Sequence, residues 1–235
     1  MVKNHMKRIS MPRTWKLDRK DIKWISRPNA GAHGLMKGMA LETIMKELIK
    51  CANTRKEAKT ILYNKEVMVD GKRRRDLKLP VGLMDVVSLP EVDEHYRIII
   101  NKRSEIDTVK INKNEAGVKP CKIKNKTILK GGATQLNLAG SRNMIFKKGE
   151  KVPYAVGDTV MLSLPKQEIK DHIKFEKGSK AYLTGGKYVG YTGVIESIEN
   201  DIIRIKNDEG KTLETNKRHA YVIGKDKPVV TISAK

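Results

Sequence analysis

Cysteine is scarce in this sequence. Cys51 and Cys121 are the only two in 235 residues and lie in no paired or metal-ligand spacing. That excludes a disulfide framework and a cysteine-based zinc site, and the two read as reduced, partly buried cytosolic thiols. The five histidines, His5, His33, His95, His172 and His219, are scattered and form no metal pattern with either cysteine. Long apolar runs are missing too, so no segment is expected to span a membrane. The opening MVKNHMKRISMP is positively charged but has no apolar run behind it, which excludes a secretory signal. Aromatic residues make up 5% of the chain, with two Phe and two Trp. That is too few for a platform that binds by stacking nucleobases.

Signatures of catalysis are also absent. LTGGKYVG has glycines but not the Gly-Lys-Ser/Thr ending of a P-loop, and no dinucleotide fingerprint opens a helix. Nothing nominates a nucleophilic Cys–His pair. Asp158 follows Gly157 before the strand-like TVMLSL and reads as a turn or strand-start residue. No metal, no cofactor and no small-molecule substrate are expected.

The other deficit is acid. Against 49 Lys plus Arg there are 27 Asp plus Glu, a net charge of +22. Such an excess repels itself in a folded chain, and a polyanionic partner removes that cost. Nucleic acid, bound through its phosphates with release of counterions, fits best. Hydrophobic residues at 39% are too many for a disordered polyelectrolyte. Contacts to phosphate, sugar and groove are therefore expected from a folded protein.

Residues 1–40 have scattered apolar positions without a lasting period, interrupted by Pro12, Pro28, Gly31, Gly34 and Gly38. They read as a basic N-terminal extension with little core of its own, ordered chiefly on a partner. Its candidate RNA contacts are Lys3, Lys7, Arg8, Arg13, Lys16, Arg19, Lys20, Lys23, Arg27 and Lys37. Trp15 and Trp24 anchor it either to the protein or to RNA, and the sequence leaves both open.

Residues 41–90 change pattern. Leu41, Ile44, Met45, Leu48 and Ile49 recur at helical spacing. Thr54 and Glu57 form a capping-box pair ahead of a second helix with Ala58, Ile61 and Leu62 on its apolar face. Arg55, Lys56 and Lys59 gather near its start, where free backbone N–H groups favour an anion. The period then becomes two, with Val67 and Val69 on one side and Asp70-Gly71 as a tight turn into Lys72, Arg73, Arg74 and Arg75. Strand alternation sets Arg73 and Arg75 on one side and Arg74 on the other. Residues 91–174 read as a central β-rich domain, and 175–235 as short strands with glycine turns that suit a small, strongly bent barrel with a C-terminal tail. There Gly185, Gly186, Gly190 and Gly193 are the turn glycines, and Lys187 and Tyr188 face either RNA or a protein. The expected fold class is multidomain, mixed α+β and β.

Two stretches carry a family stamp. TRKEAKTILYNKEVMVDGK resembles the S4-type RNA-binding module of small-subunit ribosomal proteins, pseudouridine synthases and tyrosyl-tRNA synthetases, through Arg55, Ala58, Ile61, Leu62, Val67, Val69 and Gly71. GSKAYLTGGKYVGYTGVI is similar to the KOW motif of ribosomal and transcription-elongation proteins, with Gly190 at its characteristic glycine, then Gly193, Val194 and Ile195. The whole chain, from KNHMKRISMPRTWKLDRK onward, resembles the archaeal and eukaryotic small-subunit ribosomal protein S4e family; LPVGLMDVVSLP and LNLAGSRNMIFKKG fit its linking regions. The absence of a long C-terminal addition points to the archaeal form.

The resemblance implies an S4-type domain at 41–90 and an SH3-like KOW barrel at 175–235. It implies a non-catalytic constituent of the small ribosomal subunit in the cytoplasm, bound to 16S-type rRNA beside neighbouring small-subunit proteins. A pseudouridine synthase would need a further catalytic domain with its own aspartate motif, and none is found. The alternative is a free RNA chaperone, or a translation or transcription regulator, built from the same modules.

Overall fold

In the computed structural model, which describes residues 5–225 and 228–232, the chain divides into two compact units. The first comprises residues 5–99 and Glu105–Gly117 with Ile232; the second comprises Ile100–Ser104 and Val118–Thr231.

The first unit opens with a small hairpin, β1 (Met6–Lys7) against β2 (Trp24–Ile25), and a second pair follows in β3 (Gly38–Ala40) and β6 (Pro80–Gly82). Between β3 and β6 lie α1 (Leu41–Thr43), α2 (Arg55–Asn64) and the hairpin of β4 (Met68–Val69) and β5 (Lys72–Arg73). From α1 the chain continues as a wider π turn over Ile44–Leu48, closed by the Ile49 N–H donating to the Ile44 carbonyl at 2.9 Å. It buries Leu41, Ile44 and Met45 and leaves Leu48 and Ile49 half-buried, as the helical spacing requires.

The start of α2 is set by the reciprocal cap. The Glu57 N–H donates to Thr54 Oγ1 at 3.2 Å, and Glu57 Oε2 accepts from the N–H groups of Asn53 at 2.9 Å and Thr54 at 3.4 Å. The Asn53 N–H, then Thr54, hold the Glu57 carboxyl below the usual carboxylate range. Ala58 and Leu62 are fully buried. Asp70 and Gly71 turn the hairpin with φ of 53° and 71°, the paired positive values of a two-residue turn matched to strand twist.

That hairpin does not end its sheet at Pro90. A 3-10 turn at Pro90–Val92 leads from β7 (Val86–Leu89) into β8 (Glu94–Ile100), and β9 (Ile106–Ile111) completes a five-stranded sheet in the order β5-β4-β7-β8-β9. The β pattern that begins at residue 91 thus supplies this sheet's last two strands, followed by the short α3 (Lys113–Ala116).

The N-terminal segment differs from the expectation of an arm with little core of its own, ordered chiefly on a partner. Met6, Met11 and Trp15 are buried in the same cluster as Leu41, Ile44, Met45 and Leu62. Trp15 is 2% exposed, its indole N–H donates to the Leu35 carbonyl at 3.2 Å, and it bridges Ile106 of β9. Irregular spacing hides this core, because single apolar residues separated by turns can converge without any period.

In the second unit, β10 (Val118–Ile128) is the long organising strand. Its first half pairs with β13 (Thr159–Ser163) and its second half with β11 (Thr134–Leu138). With β12 (Arg142–Phe146) and β14 (Ile169–Ile173) the order is β12-β11-β10-β13-β14. Cys121, Ile123, Leu136, Leu138, Val160 and Leu162 fill its core. Asp158 opens β13: its carboxylate accepts from the N–H groups of Ala155 at 3.0 Å and Phe175 at 2.9 Å and lies 2.7 Å from His172 Nε2.

The second sheet of this unit, β18-β17-β16-β15-β19, is built from β15 (Lys180–Leu183), β16 (Thr192–Glu199), β17 (Ile202–Asn207), β18 (Thr212–Asn216) and β19 (Ala220–Gly224). Strands β15 to β18 form a meander and β19 returns beside β15. Tyr221 ties the two sheets together, donating to the Pro120 carbonyl at 2.7 Å and accepting from the Lys122 N–H at 3.1 Å. Tyr182 is fully buried, accepts the Ile100 N–H at 2.9 Å and donates to the Ile100 carbonyl; burial pushes its phenol up from the ordinary tyrosine value. Among the described residues no helix is long and apolar enough to cross a membrane.

Candidate nucleic-acid interface

Helix α2 separates the first set of expected contacts into two groups. Its ten residues span about 15 Å. Arg55, Lys56 and Lys59 stand exposed on its first turns, while Lys72, Arg73, Arg74 and Arg75 stand exposed beside its last turn. Arg55 leans toward Glu42, with Nε 3.7 Å from the carboxylate, but stays 60% exposed. Lys59 lies over the Tyr63 ring at 5.8 Å.

The three arginines are not equivalent. Arg73 turns back on α2 and donates to the carbonyls of Tyr63 at 3.1 Å and Lys65 at 3.4 Å, satisfying groups left open where the helix ends. Strand β5 stops at Arg73, so alternation does not extend to Arg75. Arg74 is held by its backbone, which donates to the Val67 carbonyl at 3.0 Å, with its side chain exposed.

The N-terminal cations divide in the same way. Arg8 leaves the candidate surface: it is 4% exposed, pairs with Glu47 at 2.9 Å and Asp21 at 3.4 Å, and donates to the Asp18 carbonyl. The Glu47 hydrogen bond raises its guanidinium pKa further. Lys16 pairs with Asp107 at 2.6 Å, and Arg19 donates to the Ile9 and Met11 carbonyls at 3.0 and 3.1 Å. Lys23 lies over the exposed Trp24 ring at 5.6 Å. Lys7, Arg13, Lys20 and Lys37 are exposed and Arg27 is half-buried; Lys3 lies outside the described residues.

Arg27, Arg55 and Trp24 line an open groove of about 780 Å³, joined by Lys46 and Lys78. The acids there are engaged: Glu42 accepts from Ser26 at 2.7 Å and Glu47 is held by Arg8. Pattern in the sequence does not single out Lys46 or Lys78. Lys46 sits inside a helical pattern and Lys78 among alternating leucines, so only the tertiary fold brings them to Arg55.

In the second unit the glycine loop builds a separate cluster. Tyr188 and Tyr191 meet edge to face at 6.3 Å, with Lys187 over the first ring at 5.4 Å and Lys102 over the second at 4.9 Å. Gly190 has φ of 79°, and a Cβ there would lie 2.4 Å from the Asn101 carbonyl carbon. Both conditions demand glycine. Gly186 also has positive φ, Gly185 lies against His219, and Gly193 is packed in β16 against the Lys206 carbonyl of β17. Among the described residues no group of three or more His, Cys, Asp and Glu side chains is arranged to hold a metal ion.

The chain is similar to known ribosomal proteins over nearly its whole length. The Ribosomal family S4e matches residues 92–169, and the RS4NT (NUC023) domain matches 2–36. The small ribosomal subunit protein eS4 of Methanocaldococcus jannaschii is 43% identical over 98% of this chain and 98% of its own length; that of Methanococcus vannielii is 39% identical over the same shares. The crystal structure of the 30S ribosomal protein S4e from Thermoplasma acidophilum superposes with a TM-score of 0.68 at 33% identity, covering 80% of this chain and 95% of that one. With relatives this similar over nearly its whole length, the chain belongs to the ribosomal S4e family.

Proposed function

We propose that this chain is a non-catalytic structural constituent of the small ribosomal subunit in the cytoplasm, where it binds rRNA and lies beside other subunit proteins. The observation that carries this is the relationship of 98% of the chain to 98% of the length of small ribosomal subunit proteins. The physical reading points the same way: a charge of +22 and exposed cations at both ends of α2, set mainly to meet phosphate and sugar.

In finer terms, residues 1–40 form a basic extension packed on the first unit's core, 41–90 an S4-type RNA-binding domain whose sheet β8 and β9 complete, the later strands of 91–174 a central β-rich domain and 175–235 an SH3-like KOW barrel with its tail. The capped helix and Asp-Gly hairpin support the S4-type assignment. The five short strands and Gly190 support the KOW assignment. The RNA contacts are Lys7, Arg13, Lys20, Lys23, Arg27 and Lys37 on the extension, then Arg55, Lys56, Lys59, Lys72, Arg74 and Arg75, with Lys187 and Tyr188 on the barrel. Sedimentation tests the reading. Native protein should travel with small subunits in a gradient at low and moderate salt, whereas a free soluble pool at both would overturn the assignment and favour an RNA chaperone or regulator.

A further inference from the structure

The outer face of β10, β11 and β12 carries polar side chains that serve neither core of the second unit. Register places Asn125 opposite Asn137 and Asn137 opposite Asn143, so three carboxamides stand abreast across three strands. Two residues further along, Thr127, Gln135 and Ile145 form the next row on the same face. Gln135 donates to Asn137 at 2.5 Å, linking the rows. The opposite face packs Leu136, Leu138 and Met144 into the core.

A bulge makes this arrangement. Between Ile123 and Asn125 the register shifts by one residue, with Lys124 as the extra one. Without it Asn125 would point inward beside Ile123. Asparagine is depleted in strands, and a face meeting only water would gain more from threonine or opposite-charge pairs. Three asparagines abreast therefore ask for a partner.

Charge indicates which partner. From Glu115 to Glu150 there is no intervening acid, while eight lysines and arginines fall in that interval. Lys122 is used internally, donating to the Lys217 and Arg218 carbonyls at 3.2 and 3.1 Å. Lys124, Lys130, Lys147 and Lys148 are exposed. The last three follow the ends of β10 and β12, and pairing of Ile128 with Thr134 and Thr134 with Phe146 puts those ends at one edge of the sheet.

We propose that this face docks in the minor groove of a duplex segment of RNA, its carboxamides on 2′-hydroxyls and base edges and its marginal lysines on the flanking phosphates. The RNA minor groove is wide and shallow enough for a sheet face, whereas the major groove is deep and narrow. A carboxamide both donates and accepts, as a 2′-hydroxyl does. The two rows contain no aromatic ring, so stacking on unpaired bases is not available to them. The inference rests on the reading of the chain as an rRNA-binding protein and adds a duplex-specific surface on its second unit.

The test uses the full chain with Arg55, Arg74 and Arg75 changed to alanine, which weakens the α2 surface. Binding to an RNA duplex of about 16 base pairs, one that spans successive minor grooves, is compared with binding to a DNA duplex of the same sequence. The background protein should prefer the RNA. Adding Asn125→Thr, Asn137→Thr and Asn143→Thr, which suit strands, should weaken RNA binding roughly tenfold and leave DNA binding and the salt slope unchanged, because amides release no counterions. Adding Lys124→Ala, Lys130→Ala and Lys148→Ala instead should weaken both duplexes and reduce the salt slope by about 2–3. An unchanged RNA-to-DNA ratio in the threonine variant, or no residual RNA binding in the background, overturns the proposal. Threonine variants that bind RNA normally but fail to join small subunits would assign the face to a protein, which overturns it too. If the unaltered chain binds no RNA, the functional reading itself fails.

Discussion

Arg8 and Gly190 illustrate opposite cases at the scale of single residues. The burial of Arg8 depends on Glu47, thirty-nine positions away, so nothing in KRISMP marks it as different from Lys7 or Arg13. Gly190 is legible, because a conformation that only glycine tolerates leaves a chemical trace in the sequence. Its cost can be separated into strain and collision. Gly210 has φ of 80° and open space within 4 Å of where a methyl group would sit, whereas a methyl at Gly190 strikes the Asn101 backbone. Gly210→Ala should therefore cost about 1 kcal/mol of backbone strain, a fall of about 2–4 °C in Tm. Gly190→Ala should cost roughly twice as much or more, as the main chain at Asn101 must also move. Thermal melts of the two variants measure the difference directly, and equal shifts would show that the close approach does not constrain the loop.

Elements whose causes are local are the ones the sequence reveals. The capping box, the Asp-Gly turn and the buried face of α2 each depend on residues within a few positions of one another. The continuation of the hairpin sheet through β8 and β9 is not visible there, because strand partners separated by a turn look the same in sequence whether they join one sheet or start another. The arginine run shows the consequence for function. Arg73 serves the end of α2, while Arg74 and Arg75 are exposed without such a bond to the helix. Arg74→Ala with Arg75→Ala should leave the Tm unchanged, weaken RNA binding and lower the salt slope by about 2. Arg73→Ala should instead lower stability by at most about 1 kcal/mol through the lost hydrogen bonds to the helix-end carbonyls, with a smaller change in salt slope. Filter binding at several salt concentrations, paired with melts, distinguishes an RNA contact from a helix cap.

For the molecule as a whole, the decisive issue is whether the N-terminal segment needs RNA to fold. Its charge suggests a solvated arm, but charge reports on the surface of a segment and says little of a few apolar residues it buries. Met6, Met11 and Trp15 share the core of α1 and α2, and Trp15 is 2% exposed while Trp24 is 53% exposed. Two tryptophans with such different surroundings give an internal test in protein free of RNA. Trp24→Phe leaves Trp15 as the single emitter, which should fluoresce at short wavelength and resist quenching by acrylamide. Trp15→Phe leaves Trp24, which should emit at longer wavelength and be quenched readily; it should also destabilise the unit, because a large side chain is lost from a packed core. Adding RNA to the Trp24→Phe protein should change neither its emission nor its quenching, since Trp15 is already enclosed. If Trp15 were quenched as easily as Trp24 until RNA was added, the segment would fold on its partner, and the core it shares with α1 and α2 would belong to the bound state alone.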